Sequence, residues 1–194
     1  MKARPDMSEY LIHFTKGETF ADAFGRFQTI LSECRLVGGS GMICGEHRCV
    51  CFSEAPLPLP NGLVNKGFYS KYSPYGILFE KQWVFEQGGR PVIYQPRGEY
   101  DLLPDAMKWR HVTYEPPMVD FTWEREWRIC CPELSFDPGV ASLVVPSEAD
   151  LEALVADHDA EQEAYWYEYS TVMAEDELRQ FRQDFPWRII SLSE

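Results

Sequence analysis

Alternating charges lie between two tryptophans in residues 122–129, whose sequence is TWEREWRI, where an apolar run begins. In a strand, the period of two places Glu124, Glu126 and Arg128 on one face. Two carboxylates and a guanidinium that converge in this way can shift a carboxylate pKa and orient a substrate hydroxyl or a developing cation. The alternative is a salt-bridged strand edge, since surface ion pairs are common.

A histidine is the second candidate for a functional role. His13 lies near the end of the apolar run YLIHF, residues 10–14, and Thr15 follows two positions on, facing the same way. A neutral imidazole at such a place can hydrogen-bond a ribose hydroxyl or a backbone group. The alternative is a histidine that is satisfied within the core.

Residues 44–51, CGEHRCVC, form the third candidate, because their soft side chains could bind zinc. A structural zinc site usually offers two separated ligand pairs, and no second Cys/His pair of ordinary spacing accompanies this cluster. Cys49 and Cys51 lie in an apolar run, where thiols behave as small hydrophobes, as Cys130 and Cys131 do further on. We therefore expect no metal, and reduced, buried cysteines.

The elements that position these residues follow from apolar periodicity and turn residues. Thr19 is predicted to cap a helix of about 14 residues that begins at Phe20. Its predicted apolar face comprises Phe20, Phe24, Phe27, Leu31 and Cys34. Further helices are predicted over residues 81–87 and after Ser147, the latter with an apolar face of Leu151, Leu154 and Val155. Strands are predicted at residues 10–14, 48–53, 91–94, 127–131, 142–145 and 188–192, residues 74–79 form either a strand or a turn, and Pro56, Pro58, Pro60 and Gly62 mark a loop.

These elements alternate without a regular βαβ rhythm, which predicts an α+β fold built on a strongly bent mixed sheet with a few flanking helices. At 194 residues, with 45% hydrophobic and 14% aromatic residues, the chain is expected to form one well-cored domain over residues 1–194. It has neither a spanning apolar stretch nor a secretory h-region, so we expect a soluble, cytoplasmic protein without membrane contact.

The net charge of −13 is unevenly distributed along the chain. Residues 148–194 carry 13 acidic and 3 basic side chains, whereas residues 1–147 carry 18 and 15. Sequence-independent binding to nucleic acid requires an excess of Lys and Arg, so this mode is disfavoured, while local recognition of a nucleic acid stays open. The chain also lacks a Walker-type loop, a GxGxxG fingerprint, a GxSxG elbow and an HExxH motif, which excludes several common enzyme classes.

The order of the segments resembles that of bacterial ADP-ribosyltransferase toxins of phage-defence and toxin–antitoxin systems, especially the DNA-modifying DarT family and the AbiGi-like abortive-infection proteins. The resemblance covers residues 9–131. Its most specific parts are the HFT of residues 13–15 and the EREWR of residues 124–128. Between these two parts, residues 51–56, 75–79 and 89–94 come in the same order as the corresponding segments of the family.

This resemblance implies an ADP-ribosyltransferase-like fold and NAD as substrate. By position, the catalytic carboxylate falls on Glu126, with Glu124 as an auxiliary carboxylate. Contacts to NAD fall on the segment His13, Phe14 and Thr15, on Ser53, and on Tyr75 as the aromatic residue that stacks on nicotinamide. The reaction fits these residue types, because cleavage of the nicotinamide–ribose bond builds positive charge on the sugar and a carboxylate stabilises it.

One departure concerns the phosphates of NAD. Where the family pattern places an arginine, this chain has Glu54, and Arg26, Arg48 and Arg128 are the candidates to replace that arginine.

The resemblance favours a nucleic-acid acceptor, with a protein acceptor as the alternative. A track for a nucleic-acid strand could be formed by Lys66, Lys71, Arg97, Lys108, Trp109, Arg110 and His111. The alternative is that these residues form an ordinary solvated surface. An antitoxin is a possible partner. The rival hypotheses are a non-catalytic interaction or sensor protein, which binds through the acidic C-terminal quarter, and a zinc-stabilised binding module.

Overall fold

The computed structural model describes residues 7–54 and 73–191. Its strands, in chain order, are β1 (Tyr10–Phe14), β2 (Arg35–Val37), β3 (Cys49–Ser53), β4 (Gly76–Glu80), β5 (Arg90–Pro91), β6 (Ile93–Gln95), β7 (His111–Thr113), β8 (Glu126–Cys130), β9 (Glu133–Ser135), β10 (Ala141–Val145) and β11 (Arg188–Ser191). The α-helices are α1 (Phe20–Glu33), α2 (Lys81–Glu86), α3 (Glu148–Tyr169) and α4 (Glu175–Phe181). Short 3-10 turns cover Cys44–Glu46, Arg97–Leu102, Asp105–Arg110, Thr122–Glu124 and Pro138–Val140.

A seven-stranded sheet in the order β11-β10-β4-β1-β3-β8-β5 dominates the described part of the chain. The pair β10–β11 is parallel and the other neighbours are antiparallel, so the sheet is mixed. Two small two-stranded sheets, β2–β9 and the parallel pair β6–β7, accompany it. A large mixed sheet with several helices confirms the predicted α+β class.

The hydrophobic core lies on one face of the large sheet. Alternation along the strands sends one set of side chains to this face, where α1, α2 and the start of α3 cover them. The sheet residues of this core are Leu11, Val50, Phe52, Ile77, Phe79, Ile129, Ala141, Leu143 and Val145. Ile12 and Leu78 are also buried, on the other side of their strands.

Helix α1 begins where the sequence predicts. The Thr19 hydroxyl accepts from the backbone N–H of Asp22, and the Asp22 carboxylate accepts from that of Thr19, which forms a capping box. Phe24 and Leu31 pack against the core and Phe27 is fully buried. Phe20 is 63% exposed, so its predicted place on the buried face is wrong, because the helix reaches the core only from Ala23 onward.

Most other predicted elements are confirmed within a residue or two, with some corrections. The predicted strand over residues 91–94 divides in two: Pro91 pairs with β8, whereas Ile93 and Tyr94 pair with β7. Ser147 caps α3 as predicted, but α3 runs for 22 residues and buries Leu154 alone. The predicted proline loop, Lys66, Lys71 and Leu192 lie outside the described residues. Among the described residues, none of the helices has the length and apolar character needed to cross a bilayer.

Candidate functional site

The strand that carries Glu126 begins later than the sequence suggests. Glu124 belongs to the 3-10 turn Thr122–Glu124, and Arg125 adopts a left-handed conformation with φ of 43°. The period-two alternation therefore starts at Glu126. Glu126 and Arg128 share a face as predicted, whereas Glu124 does not belong to the strand, which corrects the predicted group of three.

Glu126 and Arg128 form a two-point ion pair. The guanidinium Nε lies 2.8 Å from Oε1 of Glu126, and Nη2 lies 3.2 Å from Oε2. The side chains of Arg128 and Glu126 are 4% and 11% exposed, and β8 lies between β3 and β5. The pair is therefore part of the interior, and the alternative of a salt-bridged sheet edge does not describe it.

The remaining contacts of Arg128 are made to the backbone. Its Nη1 donates to the carbonyl oxygen of Trp109 at 2.9 Å and to that of His111 at 3.0 Å. A guanidinium occupied in this way has little left for a phosphate, so Arg128 does not fit the pyrophosphate-binding role. Arg48 donates through Nε to the Gly38 carbonyl at 3.1 Å, and Arg26 lies exposed on α1.

Two residues of β3 lie beside the ion pair. Ser53 is the register partner of Glu126, and Cys51 is the partner of Arg128, so all four share one face of the sheet. Burial, the negative charge of Glu126 and a hydrogen bond to that carboxylate raise the pKa of the Cys51 thiol to about 12. The Cys51 thiol is therefore protonated at neutral pH.

A cavity of about 380 Å³ opens at the head of β8. The residues that line it are Met7, Glu54, Pro91, Val92, Tyr94, Thr122, Arg125, Glu126 and Trp127. This volume lies within the range of small-molecule pockets, and an apolar wall with a few converging polar groups is typical of them. The Tyr94 hydroxyl accepts from the Glu126 N–H at 3.1 Å and donates to the Phe121 carbonyl at 3.2 Å, while burial raises its pKa to about 12.

Glu54 also lines this cavity, at the position where the family pattern has an arginine. Its carboxylate lies 2.7 Å from Nζ of Lys81, and that nitrogen lies 5.9 Å from the centre of the Trp127 ring. Trp127 also lines a second cavity of about 580 Å³, together with Lys81, Tyr10, Phe85 and other residues of β1, β4 and α2. Lys81 thus supplies a cation near the cavity that the sequence motifs did not suggest.

His13 is held in its neutral form. Its Nδ1 lies 2.8 Å from the carbonyl oxygen of Cys51, which only accepts, so Nδ1 carries the hydrogen and Nε2 is an acceptor. Burial lowers the pKa of His13 to about 4. Its ring contacts Phe52 edge-on, and alternation from the Ile12–Ser53 pair places His13 on the face opposite Glu126. The sheet therefore brings Ser53, but not His13, together with Glu126.

Thr15, Phe14 and Tyr75 lie in the interior. The Thr15 hydroxyl contacts the hydroxyl of Ser73 at 2.6 Å and donates to the Tyr75 carbonyl at 3.0 Å, which joins the end of β1 to the start of β4. Tyr75 is 7% exposed, its ring packs on two phenylalanines of α1, and its hydroxyl donates to Asp150 at 2.7 Å. Phe14 is also buried. The enclosed ring of Tyr75 does not fit the stacking role that the resemblance gives it.

The cysteines are all free thiols. Cys49 is buried in β3 as expected, whereas Cys130 is exposed, so its predicted burial is wrong because it faces outward near the end of β8. Within residues 7–54 and 73–191, no three His, Cys, Asp or Glu side chains are grouped so that they could hold a metal.

Most described members of the predicted basic track are already engaged with the protein, although Arg97 is exposed. Lys108 pairs with Asp105 at 2.8 Å, and Nε of Arg110 donates to the Pro91 carbonyl at 2.9 Å. His111 is buried. This arrangement favours the alternative of an ordinary solvated surface.

Comparisons of the chain with protein-family models, curated proteins and solved structures found no match. The site therefore has to be interpreted from its own geometry. Sequence reasoning found Glu126 and missed Tyr94, Cys51 and Lys81, because their proximity depends on strand register and on a helix from another part of the chain.

Proposed function

We propose that this protein is an NAD-dependent ADP-ribosyltransferase with an ADP-ribosyltransferase-like fold, in which Glu126 is the catalytic carboxylate. The observation that carries the proposal is the place of Glu126: a carboxylate that Arg128 binds at both oxygens, in the wall of a 380 Å³ cavity. The order of the sequence segments, from HFT to EREWR, supports the same assignment.

The proposed chemistry uses the carboxylate as an electrostatic group. When the bond between the ribose carbon and the nicotinamide nitrogen breaks, nicotinamide leaves with the electron pair and the sugar gains positive charge. A fixed carboxylate that is only 11% exposed stabilises that charge more strongly than water would. The acceptor then forms its bond to the same carbon and loses a proton.

The residues of the cavity fit the reacting part of NAD. Val92, Tyr94 and Trp127 supply an apolar and aromatic wall for a flat nicotinamide ring, and Glu126 supplies the carboxylate for the ribose. Ser53, the register partner of Glu126, is the proposed polar contact on the same face. His13 lies on the opposite face of the sheet, so it is not assigned a contact to this ribose.

A nucleic acid is the proposed acceptor and a protein side chain is the alternative. Both assignments are based on the resemblance of the sequence to the ADP-ribosyltransferase toxins. The same resemblance supports a cytoplasmic toxin of phage defence that an antitoxin controls.

A non-catalytic interaction protein is the second candidate, and α3 favours it. This helix carries eight acidic residues and no Lys or Arg, and Tyr167 on it is 84% exposed. An acidic surface with exposed aromatic rings suits a basic protein partner.

Nicotinamide release from NAD in cell extract tests the enzyme against its rival. Wild-type protein should release nicotinamide, and Glu126→Gln should reduce the rate at least about 100-fold, because one preorganised electrostatic group contributes that much. Glu133→Gln, which removes a surface ion pair with Arg35, is the matched control and should keep the wild-type rate. Folded wild-type protein that releases no nicotinamide with nucleic-acid or protein acceptors would favour the interaction protein.

A further inference from the structure

We propose that Arg128 is a positioning residue, which fixes the carboxylate of Glu126 at the cavity without contacting the ligand. This inference rests on the proposed function, since it assigns a role within the same site. The observation behind it is that the two members of the buried ion pair use their hydrogen-bonding capacity differently.

The guanidinium of Arg128 is directed at the protein. A guanidinium has five N–H donors. Nε and Nη2 of Arg128 each donate to one oxygen of Glu126, and Nη1 donates to the carbonyls of Trp109 and His111. These contacts use four of the five donors, and the fifth, on Nη2, belongs to a side chain that is only 4% exposed. Arg128 therefore offers little to a ligand in the cavity.

The carboxylate of Glu126 is directed at the cavity as well as at Arg128. Two carboxylate oxygens offer about four acceptor positions. Arg128 uses one on each oxygen, and Glu126 lines the cavity wall. Acceptor capacity therefore remains for a ribose hydroxyl or a developing positive charge.

The backbone carbonyls make this arrangement rigid. Trp109 and His111 lie where the 3-10 turn Asp105–Arg110 passes into β7, so two fixed oxygens hold the guanidinium, and the guanidinium holds both oxygens of Glu126. A planar two-point contact defines orientation as well as charge. An ammonium group carries the same charge but cannot reproduce that planar fork.

Arg128→Lys separates orientation from charge. We expect kcat for nicotinamide release to fall about 10- to 100-fold, because a displacement on the order of 1 Å at the reacting group has that effect. The KM for NAD should stay within about threefold, since Arg128 makes no ligand contact. Arg35→Lys is the matched control, because Arg35 also makes two contacts to carboxylate oxygens, in its case to Glu33 and Glu133 on the surface. It should leave both constants unchanged. A kcat within about threefold of wild type in folded Arg128→Lys would overturn the proposal.

A second measurement needs neither activity nor a folded Arg128 variant. In wild-type protein, the Nε–H of Arg128 should exchange with solvent at least about 100-fold more slowly than that of Arg35, because it is buried and bonded. Glu126→Gln should remove this protection. Wild-type protein that turns over no NAD but shows the protected Nε–H would overturn the proposed function and leave the Arg128–Glu126 contact established. An Nε–H of Arg128 that exchanges as fast as that of Arg35 would overturn the present inference.

Discussion

The hydroxyl of Tyr94 lies 3.1 Å from the backbone nitrogen of Glu126 and accepts a hydrogen bond from it. The same hydroxyl donates to the carbonyl of Phe121. A side chain from β6 therefore fixes the first residue of β8, and with it the backbone from which the candidate catalytic carboxylate extends. This contact links Glu126 to the wall of its own cavity.

Tyr94→Phe tests that link. The substitution leaves the Glu126 N–H without this acceptor and should lower the free energy of unfolding by about 1–2 kcal/mol. Urea denaturation at pH 7 measures the change. Tyr167→Phe, at an exposed position of α3, should have no measurable effect, and equal stabilities of the two variants would contradict the assigned role of the Tyr94 hydroxyl.

His13 gives the stability of the fold a dependence on pH. Its pKa is about 4 in the folded protein and about 6.5 in an unfolded chain, so between these values the unfolded state binds more protons. The free energy of unfolding should therefore fall as pH drops from 6.5 to 4, by up to about 3 kcal/mol from this residue.

His13→Asn isolates this contribution, because the amide nitrogen of asparagine can replace Nδ1 as donor to Cys51 and does not titrate. Urea denaturation at several pH values from 7 to 4 should show wild type losing stability faster than His13→Asn. Parallel curves for the two proteins would show that His13 is protonated equally in both states.

Thiol reactivity should follow burial along β3 and β8. Burial raises the pKa values of Cys49 and Cys51 to about 12, whereas their neighbour Cys130 is exposed. Since the thiolate is the nucleophile, iodoacetamide at pH 8 should alkylate Cys130 first, and Cys49 and Cys51 at least about 100-fold more slowly. Peptide mass spectrometry over time measures the three rates, and rapid labelling of Cys51 in folded protein would contradict the raised pKa of its thiol.

The elements that the sequence predicts well are those with local signals. The Thr19 cap and the spacing of Phe24, Phe27 and Leu31 mark α1, and the apolar run YLIHF marks β1, because caps and periodicity act over a few residues. The pairing of Glu126 with Arg128 was also accessible, since residues two apart on a strand share a face.

The rest of the site depends on relations that a single sequence does not encode. The contact of Cys51 with Glu126 needs the register between β3 and β8, and the carbonyls of Trp109 and His111 reach Arg128 from outside its sheet. Arg125 takes a left-handed conformation that non-glycine residues adopt rarely, so the later start of β8 had no sequence signal.

Two adjacent glycines offer a sharp test of how tightly the sheet packs behind the site. Gly38 follows β2, and a Cβ at this position would overlap the carbonyl oxygen of Cys131, whereas a Cβ at Gly39 would meet nothing within 4 Å. Gly38→Ala should therefore lower the free energy of unfolding by about 1–3 kcal/mol, because backbone atoms must move to admit the methyl group. Gly39 has a φ that other residues adopt. Gly39→Ala should therefore be neutral or slightly stabilising, because alanine lowers the conformational entropy of the unfolded chain. Urea denaturation of both variants decides the matter. Similar stabilities would mean that the Cys131 carbonyl does not approach Gly38 as closely as described, which would contradict the close packing between the ends of β2 and β8.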